Sequence, residues 1–208
     1  LSYPKKHDYM KHTNKIKSMA VFCGSSKGTK KDYRHQAYEL GSILAQEGIE
    51  IIYGGAKVGL MGHLADGALA AKGKITGVIP KFLREKEIAH DRLTRLIQVE
   101  SMHERKQRMH ELSDGVIALP GGYGTLEEFF ETLTWGQLGL HRKPVALLNI
   151  NGFYDPLKQL ADSMVREGFL NPVNRQMLII NSNITGLLKQ MKEQPVPHTD
   201  KWINQKQW

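Results

Sequence analysis

Short apolar runs rich in Val and Ile alternate along this chain with longer stretches of helical period, and that alternation limits the fold more than any other feature. It is the pattern of successive βα units in a parallel sheet. The runs Met19 to Cys23, Glu50 to Tyr53, Ile75 to Ile79, Leu96 to Val99, Val116 to Leu119 and Val145 to Leu148 read as strands. Between the first two, Tyr33, Ala37, Leu40 and Leu44 recur at spacings of four, three and four, which places them on one helical face, and Gly48 supplies a stop. Further helices are expected at Leu60 to Ala71, His103 to Leu112, Leu126 to Leu138, Pro156 to Glu167 and Thr185 to Lys192. With 208 residues there is room for one core and little else. The expectation is α/β: a single doubly wound, Rossmann-like parallel sheet over residues 18–192, with helices on both faces. A flexible basic arm (1–17) precedes it, and a polar tail (193–208), opened by Pro195 and Pro197, follows. No internal repeat or low-complexity block divides the chain.

Composition removes several classes of function. The net charge of +8 could suggest nucleic acid, but five lysines and one aspartate fall within the first 17 residues, so half the excess sits on the arm. No basic helix is interleaved with aromatics as a nucleic-acid groove requires, so no nucleic-acid partner is expected. The one cysteine, Cys23, allows no intrachain disulfide and no Cys-rich metal site. No apolar run approaches the roughly 18 residues of a membrane helix, and the first 17 residues lack a signal peptide's apolar stretch. A soluble cytoplasmic protein with no membrane partner is expected.

The glycines cluster where strands end: Gly24-Ser25-Ser26, Gly54-Gly55 with Gly59 and Gly62, and Gly121-Gly122-Tyr123-Gly124. In open α/β sheets, ligands bind at the carboxyl ends of the strands, where chain direction reverses. In Asp114-Gly-Val-Ile-Ala-Leu-Pro-Gly-Gly-Tyr-Gly-Thr-Leu-Glu-Glu128 an apolar strand runs into Pro120 and then into glycines, whose backbone N–H groups can approach an anion before the next helix begins. This reads as a phosphate cradle. Gly24-Ser-Ser-Lys-Gly28-Thr-Lys30 has the wrong spacing for a triphosphate loop. The second strand ends in Tyr53 and glycines, without the acid that grips an adenosine ribose, so NAD is disfavoured.

Thr125 and Glu128 have the spacing of a capping box, which would satisfy two helix-start N–H groups reciprocally. The alternative is chemistry, since Glu127 and Glu128 crowd a proposed anion site unless a cation compensates. Arg105 and Lys106, in Met102-His-Glu-Arg-Lys-Gln-Arg-Met109, could supply it. Arg105 could fork onto a phosphate or lie on a solvated helix face beside Glu111. His103 and His110 are seven apart, poor spacing for one metal, and no catalytic metal is expected.

With Met102-His-Glu-Arg-Lys and Pro120-Gly-Gly-Tyr-Gly-Thr-Leu-Glu-Glu128 in view, the chain resembles the LONELY GUY family of cytokinin riboside 5′-monophosphate phosphoribohydrolases, members of which have carried a lysine decarboxylase label. The likeness runs from about Ser18 to Lys192 and takes in Cys23-Gly-Ser-Ser, Tyr53-Gly-Gly and Trp135-Gly-Gln-Leu-Gly. It implies catalytic roles for Arg105 and Glu128. It also implies nucleotide contacts from Glu87, Lys106, the Gly122 to Thr125 loop and Thr134, to which the glycine-cluster argument adds Ser25, Gly54, Gly55, Gly121 (with Gly122, Tyr123, Gly124 and Thr125) and Glu127. No cofactor is implied, and nothing identifies a pyridoxal phosphate lysine. The resemblance implies a homodimer with sites near the subunit boundary. The aromatic segment Phe129 to Leu138 suits such a boundary, or else deep burial. Two functions follow: hydrolysis of a nucleoside 5′-monophosphate to free base and ribose 5-phosphate, or, alternatively, nucleotide or cofactor carriage on the same fold.

Overall fold

The computed structural model describes residues 14–84 and 89–195. Residues 1–13 of the expected arm, the tail beyond 195 and Glu87 lie outside them. In chain order the elements are β1 (Ser18–Phe22), α1 (Lys31–Gln46), β2 (Glu50–Tyr53), α2 (Gly59–Ala70), β3 (Ile75–Pro80), α3 (Lys81–Arg84), β4 (Arg95–Val99), α4 (Met102–Glu111), β5 (Gly115–Ala118), α5 (Tyr123–Gln137) and β6 (Val145–Leu148). A 3-10 turn (Ile150–Gly152), α6 (Asp155–Arg166), α7 (Pro172–Arg175), β7 (Leu178–Asn181) and α8 (Ile184–Glu193) complete the series. The six strands expected from the Val/Ile runs are all present, each end within one residue. The sequence reading lacked β7, an edge strand that is only half-buried over its last two residues and so lacks the fully apolar run of the inner strands. It also lacked the single-turn helices α3 and α7.

All seven strands are parallel, in the order β4-β3-β2-β1-β5-β6-β7. Side chains alternate across each strand, so β1 sends Met19 and Val21 to one face and Ala20 and Phe22 to the other. The first face is covered by α1, α2 and α8 through residues such as Leu40, Leu64 and Leu187. The second is covered by α4, α5 and α6 through Met109, Phe129 and Ala161. Near-continuous burial on both faces is why the strands read as unbroken apolar runs.

On the first face α1 and α2 interlock through glycine. A Cβ on Gly41 would stand 2.1 Å from the Leu64 carbonyl oxygen, and one on Gly67 would stand 2.0 Å from that of Tyr38. The described end of the arm is tied down. Asn14 Nδ2 donates to the Met191 carbonyl at 2.8 Å, and Asp114 Oδ2 accepts from the Lys17 and Ser18 N–H groups.

Chain order reverses between β1 and β5, which pair directly although three strands, β2, β3 and β4, lie between them in sequence. The carboxyl ends of these two strands form the crevice where open sheets hold ligands. Gly24 N–H donates to the Pro120 carbonyl at 3.1 Å, stitching the two exit loops together. Tyr154 anchors the β5 end by donating its hydroxyl to the Leu119 carbonyl at 2.7 Å.

Candidate active site

A cavity of about 320 Å³ opens at this reversal. Its walls come from the exit of β1 (Cys23, Gly24, Ser25), the exit of β2 (Gly54), α4 (Met102, Arg105, Met109) and the start of α5 (Gly122 to Thr125 and Glu128). Arg105 and Glu128, far apart in the chain and on different helices, therefore line one space. Gly121 lines an adjoining hollow, also about 320 Å³, that shares Gly24, Ser25 and Gly122 with the first and is walled by Tyr33, Leu60 and Phe153. A larger hollow of about 630 Å³ lies elsewhere, beside Asp32, Glu39 and Asp155, and its acidic rim is ill suited to a phosphate.

The start of α5 corrects one reading of the sequence. The N-cap is Gly122, three residues earlier than the capping-box pattern requires, and no side chain caps it. Thr125 is inside the first turn and buried, so Thr125 and Glu128 do not form a capping box. The same four-residue pattern does serve as a cap on α4. There Ser101 Oγ accepts from the Glu104 N–H at 3.1 Å, while Glu104 Oε2 accepts from the Glu100 N–H at 2.7 Å. At α5 no side chain caps the first turn and Gly122 to Thr125 line the cavity, where the helix dipole favours an anion.

Successive helical residues diverge by about 100°, and this separates Glu127 from Glu128. Glu128 lines the cavity, whereas Glu127 turns toward α4 and pairs with Lys106. The Lys106 ammonium is only 7% exposed and also donates to Glu131 at 3.0 Å. Burial pulls its pKa down, but the bonds to Glu127 and Glu131 outweigh that and hold it above the ordinary lysine value. Lys106 and Glu127 thus join α4 to α5 outside the cavity lining. Of the other expected contacts, Gly55 is buried behind Gly54 with φ at +82°, and Thr134 is exposed farther along α5.

Arg105 is 6% exposed. Its Nη1 lies 3.7 Å from the Met102 sulfur, and among the described residues its Nε has no hydrogen-bond partner. A guanidinium so placed carries positive charge into the cavity that Glu128 also lines. Cys23, which the sequence reading did not assign to the site, sits near both charged groups. Its thiol is pushed up by burial first and then by Glu128, with Arg105 opposing, so it stays protonated and unreactive at neutral pH. Met61, Met102 and Met109 were also missed, since nothing in sequence separates a cavity methionine from a core one.

A histidine pair lies at the far end of α4. The rings of His110 and His141 are 4.6 Å apart, and His110 stands edge-on to Trp135. His141 Nε2 donates to the Thr132 carbonyl at 2.8 Å and its Nδ1 accepts from the Lys143 N–H. Burial, and then the charges of Lys143 and His141, push His110 down to about 4, against a smaller upward pull from Glu111. His141 is lowered as well, by burial first. The unfolded chain takes up these protons near pH 6.5, whereas folded His110 waits until about 4. The contribution of these neutral histidines to stability is therefore present above pH 6.5 and is lost progressively as pH falls toward 4. Melting temperatures should decline between pH 7.5 and 4.5, less steeply in His110→Gln. Equal slopes in the two proteins would remove His110 as the cause.

Comparison with known proteins adds to this geometry. A family model described as "Possible lysine decarboxylase" matches residues 61–191. The cytokinin riboside 5′-monophosphate phosphoribohydrolase LOG1 of Arabidopsis thaliana is 42% identical over 199 residues, spanning 96% of this chain and 93% of that protein. LOG7 of the same plant, which bears the same enzyme name, is 43% identical over 180 residues, 86% and 83% of the two chains. Among solved structures, the molybdenum cofactor binding protein from the phototrophic bacterium Rippkaea orientalis superposes with a TM-score of 0.63 at 26% identity, over 84% of this chain and 94% of that one. The molybdenum cofactor carrier protein of Chlamydomonas reinhardtii gives 0.65 at 21% identity, over 84% and 95%, a likeness of fold alone.

Proposed function

This chain belongs to the LONELY GUY family of cytokinin riboside 5′-monophosphate phosphoribohydrolases, and from that premise we propose that it hydrolyses the N-glycosidic bond of a nucleoside 5′-monophosphate, either AMP or an N6-modified cytokinin nucleotide. The products are free base and ribose 5-phosphate. The observation that carries this reading is the convergence of Glu128 and Arg105 on one cavity beside an α5 start that no side chain caps.

In this reading the phosphate docks on the Gly122 to Thr125 backbone, with the Ser25 hydroxyl across the crevice. As the bond from C1′ to the base nitrogen stretches, the ribose gains oxocarbenium character and the Glu128 carboxylate stabilises it. Glu128 also takes a proton from water, whose oxygen bonds to C1′. The electron pair of the broken bond leaves with the base nitrogen, and the proton that Glu128 took from water passes on to the base, which restores the carboxylate. Arg105 supplies positive charge for the phosphate or the departing base. Lys106 and Glu127 hold α4 to α5 rather than touching the nucleotide. Thr134 shares the exposed side of α5 with Phe130 and Leu138, and it reaches a nucleotide in the cavity of a second subunit. We accordingly place a homodimer boundary on this side of α5, and the protein in the cytoplasm, where its one cysteine stays a free thiol.

A decarboxylase working through a Schiff-base lysine fits the site poorly. No lysine lines the cavity among the described residues, and buried Lys106 is committed to two carboxylates. Carriage of a nucleotide or cofactor is the second reading, favoured by the names of the structural neighbours.

The deciding experiment incubates the purified chain with AMP, N6-isopentenyl-AMP or adenosine and follows the free base by chromatography, with light scattering on the same sample. Base should appear from the nucleotides, and at least roughly 10² times more slowly from adenosine, which lacks the group the cradle binds. Tight AMP binding without release of base would establish the carrier. Equal turnover of adenosine and AMP would remove the phosphate cradle, and a monomer mass at micromolar concentration would remove the dimer.

A further inference from the structure

Glycine is required at a position either because the backbone needs a positive φ or because a side chain would have nowhere to go. The adjacent residues Gly54 and Gly55 divide these reasons between them. Gly55 has φ at +82°, a conformation that L side chains rarely adopt. Gly54 is outside that region, so φ does not demand glycine there. What it lacks is space. A Cβ built on Gly54 would lie 2.1 Å from Nη2 of Arg105, 3.3 Å from its Cζ and 3.0 Å from the sulfur of Met61.

We infer that Gly54 is a positioning residue for Arg105: the missing side chain is the slot in which the guanidinium lies. Sequence reasoning placed Gly54 among the nucleotide contacts, and this inference gives it a different task while resting on the functional reading above. The three atoms nearest the added methyl all belong to the outer parts of flexible side chains, Arg105 and Met61. At Gly59, by contrast, the Cβ would strike the Ser25 backbone at 2.2 Å. An alanine at position 54 therefore leaves strands and helices where they are and displaces the guanidinium into the cavity. The guanidinium can answer that push by moving, since Arg105 Nε has no hydrogen-bond partner among the described residues and Nη1 makes a long contact of 3.7 Å to the Met102 sulfur. To reach ordinary contact distance Nη2 must retreat by more than about 1 Å, a displacement of the size that costs orders of magnitude in rate when it falls on a catalytic group.

The test is a double-mutant cycle on the full chain with Gly54→Ala, Arg105→Ala and the pair, reading adenine release from AMP, AMP affinity by calorimetry and melting temperature. Gly54→Ala should melt within about 2 °C of wild type, consistent with a contact relieved by side-chain motion. Its kcat should fall roughly ten- to a hundredfold. Added to Arg105→Ala, the same change should alter kcat and AMP affinity by less than about twofold, because its only route of action has gone. A crystal structure of Gly54→Ala should show the guanidinium shifted out of the slot. Four results overturn the inference: a guanidinium unmoved, kcat unchanged, equal losses in both backgrounds (direct contact of residue 54 with the nucleotide), or a variant that fails to fold. Should the wild type release no base from any nucleotide, the functional reading fails, while the displacement in the crystal structure and the affinity cycle with AMP still decide the role of Gly54.

Discussion

Replacing Glu128 by glutamine is expected to lower kcat for adenine release from AMP by roughly 10² or more, with the fold and AMP binding retained. The substitution keeps the shape of the side chain and removes its charge, so it deletes what an oxocarbenium ion would feel. The structure sharpens this expectation. Had Thr125 and Glu128 formed a capping box, the variant would have lost about 1 kcal/mol of stability with turnover nearly unchanged. The cap is Gly122, and Glu128 lies in the second turn facing the cavity, so helix-start stability does not depend on it. Melting temperature, AMP affinity and adenine release measured on this one variant separate the two roles. Near-normal turnover by a destabilised protein would refute the catalytic assignment.

Gly41→Ala should destabilise the domain by about 3 kcal/mol, the upper end of ordinary overpacking costs. Helix propensity alone argues the opposite sign, since alanine in a helix interior is favoured over glycine by about 1 kcal/mol. The geometry decides. The new methyl would meet the Leu64 carbonyl oxygen at 2.1 Å and the Ala68 backbone nitrogen at 2.9 Å, and neither can swing aside as a side chain can. Separating α1 from α2 would open the packing around Leu40, Leu44 and Leu64, all fully buried. At about 2 to 4 °C per kcal/mol for a chain of this size, the melting temperature should fall by roughly 10 °C. A rise would mean that α1 and α2 are not held at the spacing described.

The architecture was legible because burial on both faces of a parallel sheet leaves continuous Val/Ile runs, and because glycines mark the strand ends where ligands gather. β7 escaped because an edge strand half-buried over its last two residues lacks that continuous run. The meeting of Arg105 with Glu128 was legible only through resemblance, since no local rule relates positions on two helices. Two local patterns left more than one reading open. Thr125 and Glu128 copied the cap that Ser101 and Glu104 in fact form, and only the backbone at Gly122 tells the two apart. Lys106 read either as a nucleotide contact or as the cation that compensates Glu127, and the structure pairs it with Glu127 and with Glu131 four residues farther along the next helix.

The Lys106 tie also bears on what the motifs can tolerate in length. Along each helix, groups facing the cavity and groups joining the helices alternate: Arg105 then Lys106, and Glu127 then Glu128, with Glu131 one turn on from Glu127. One residue inserted between Gly124 and Glu127 would turn everything after it by about 100° about the helix axis. Such an insertion carries Glu128 out of the cavity and withdraws Glu127 and Glu131 from Lys106 in the same step, leaving a buried ammonium without its carboxylates. The number of residues in the motif is thus as much a part of its chemistry as their identity.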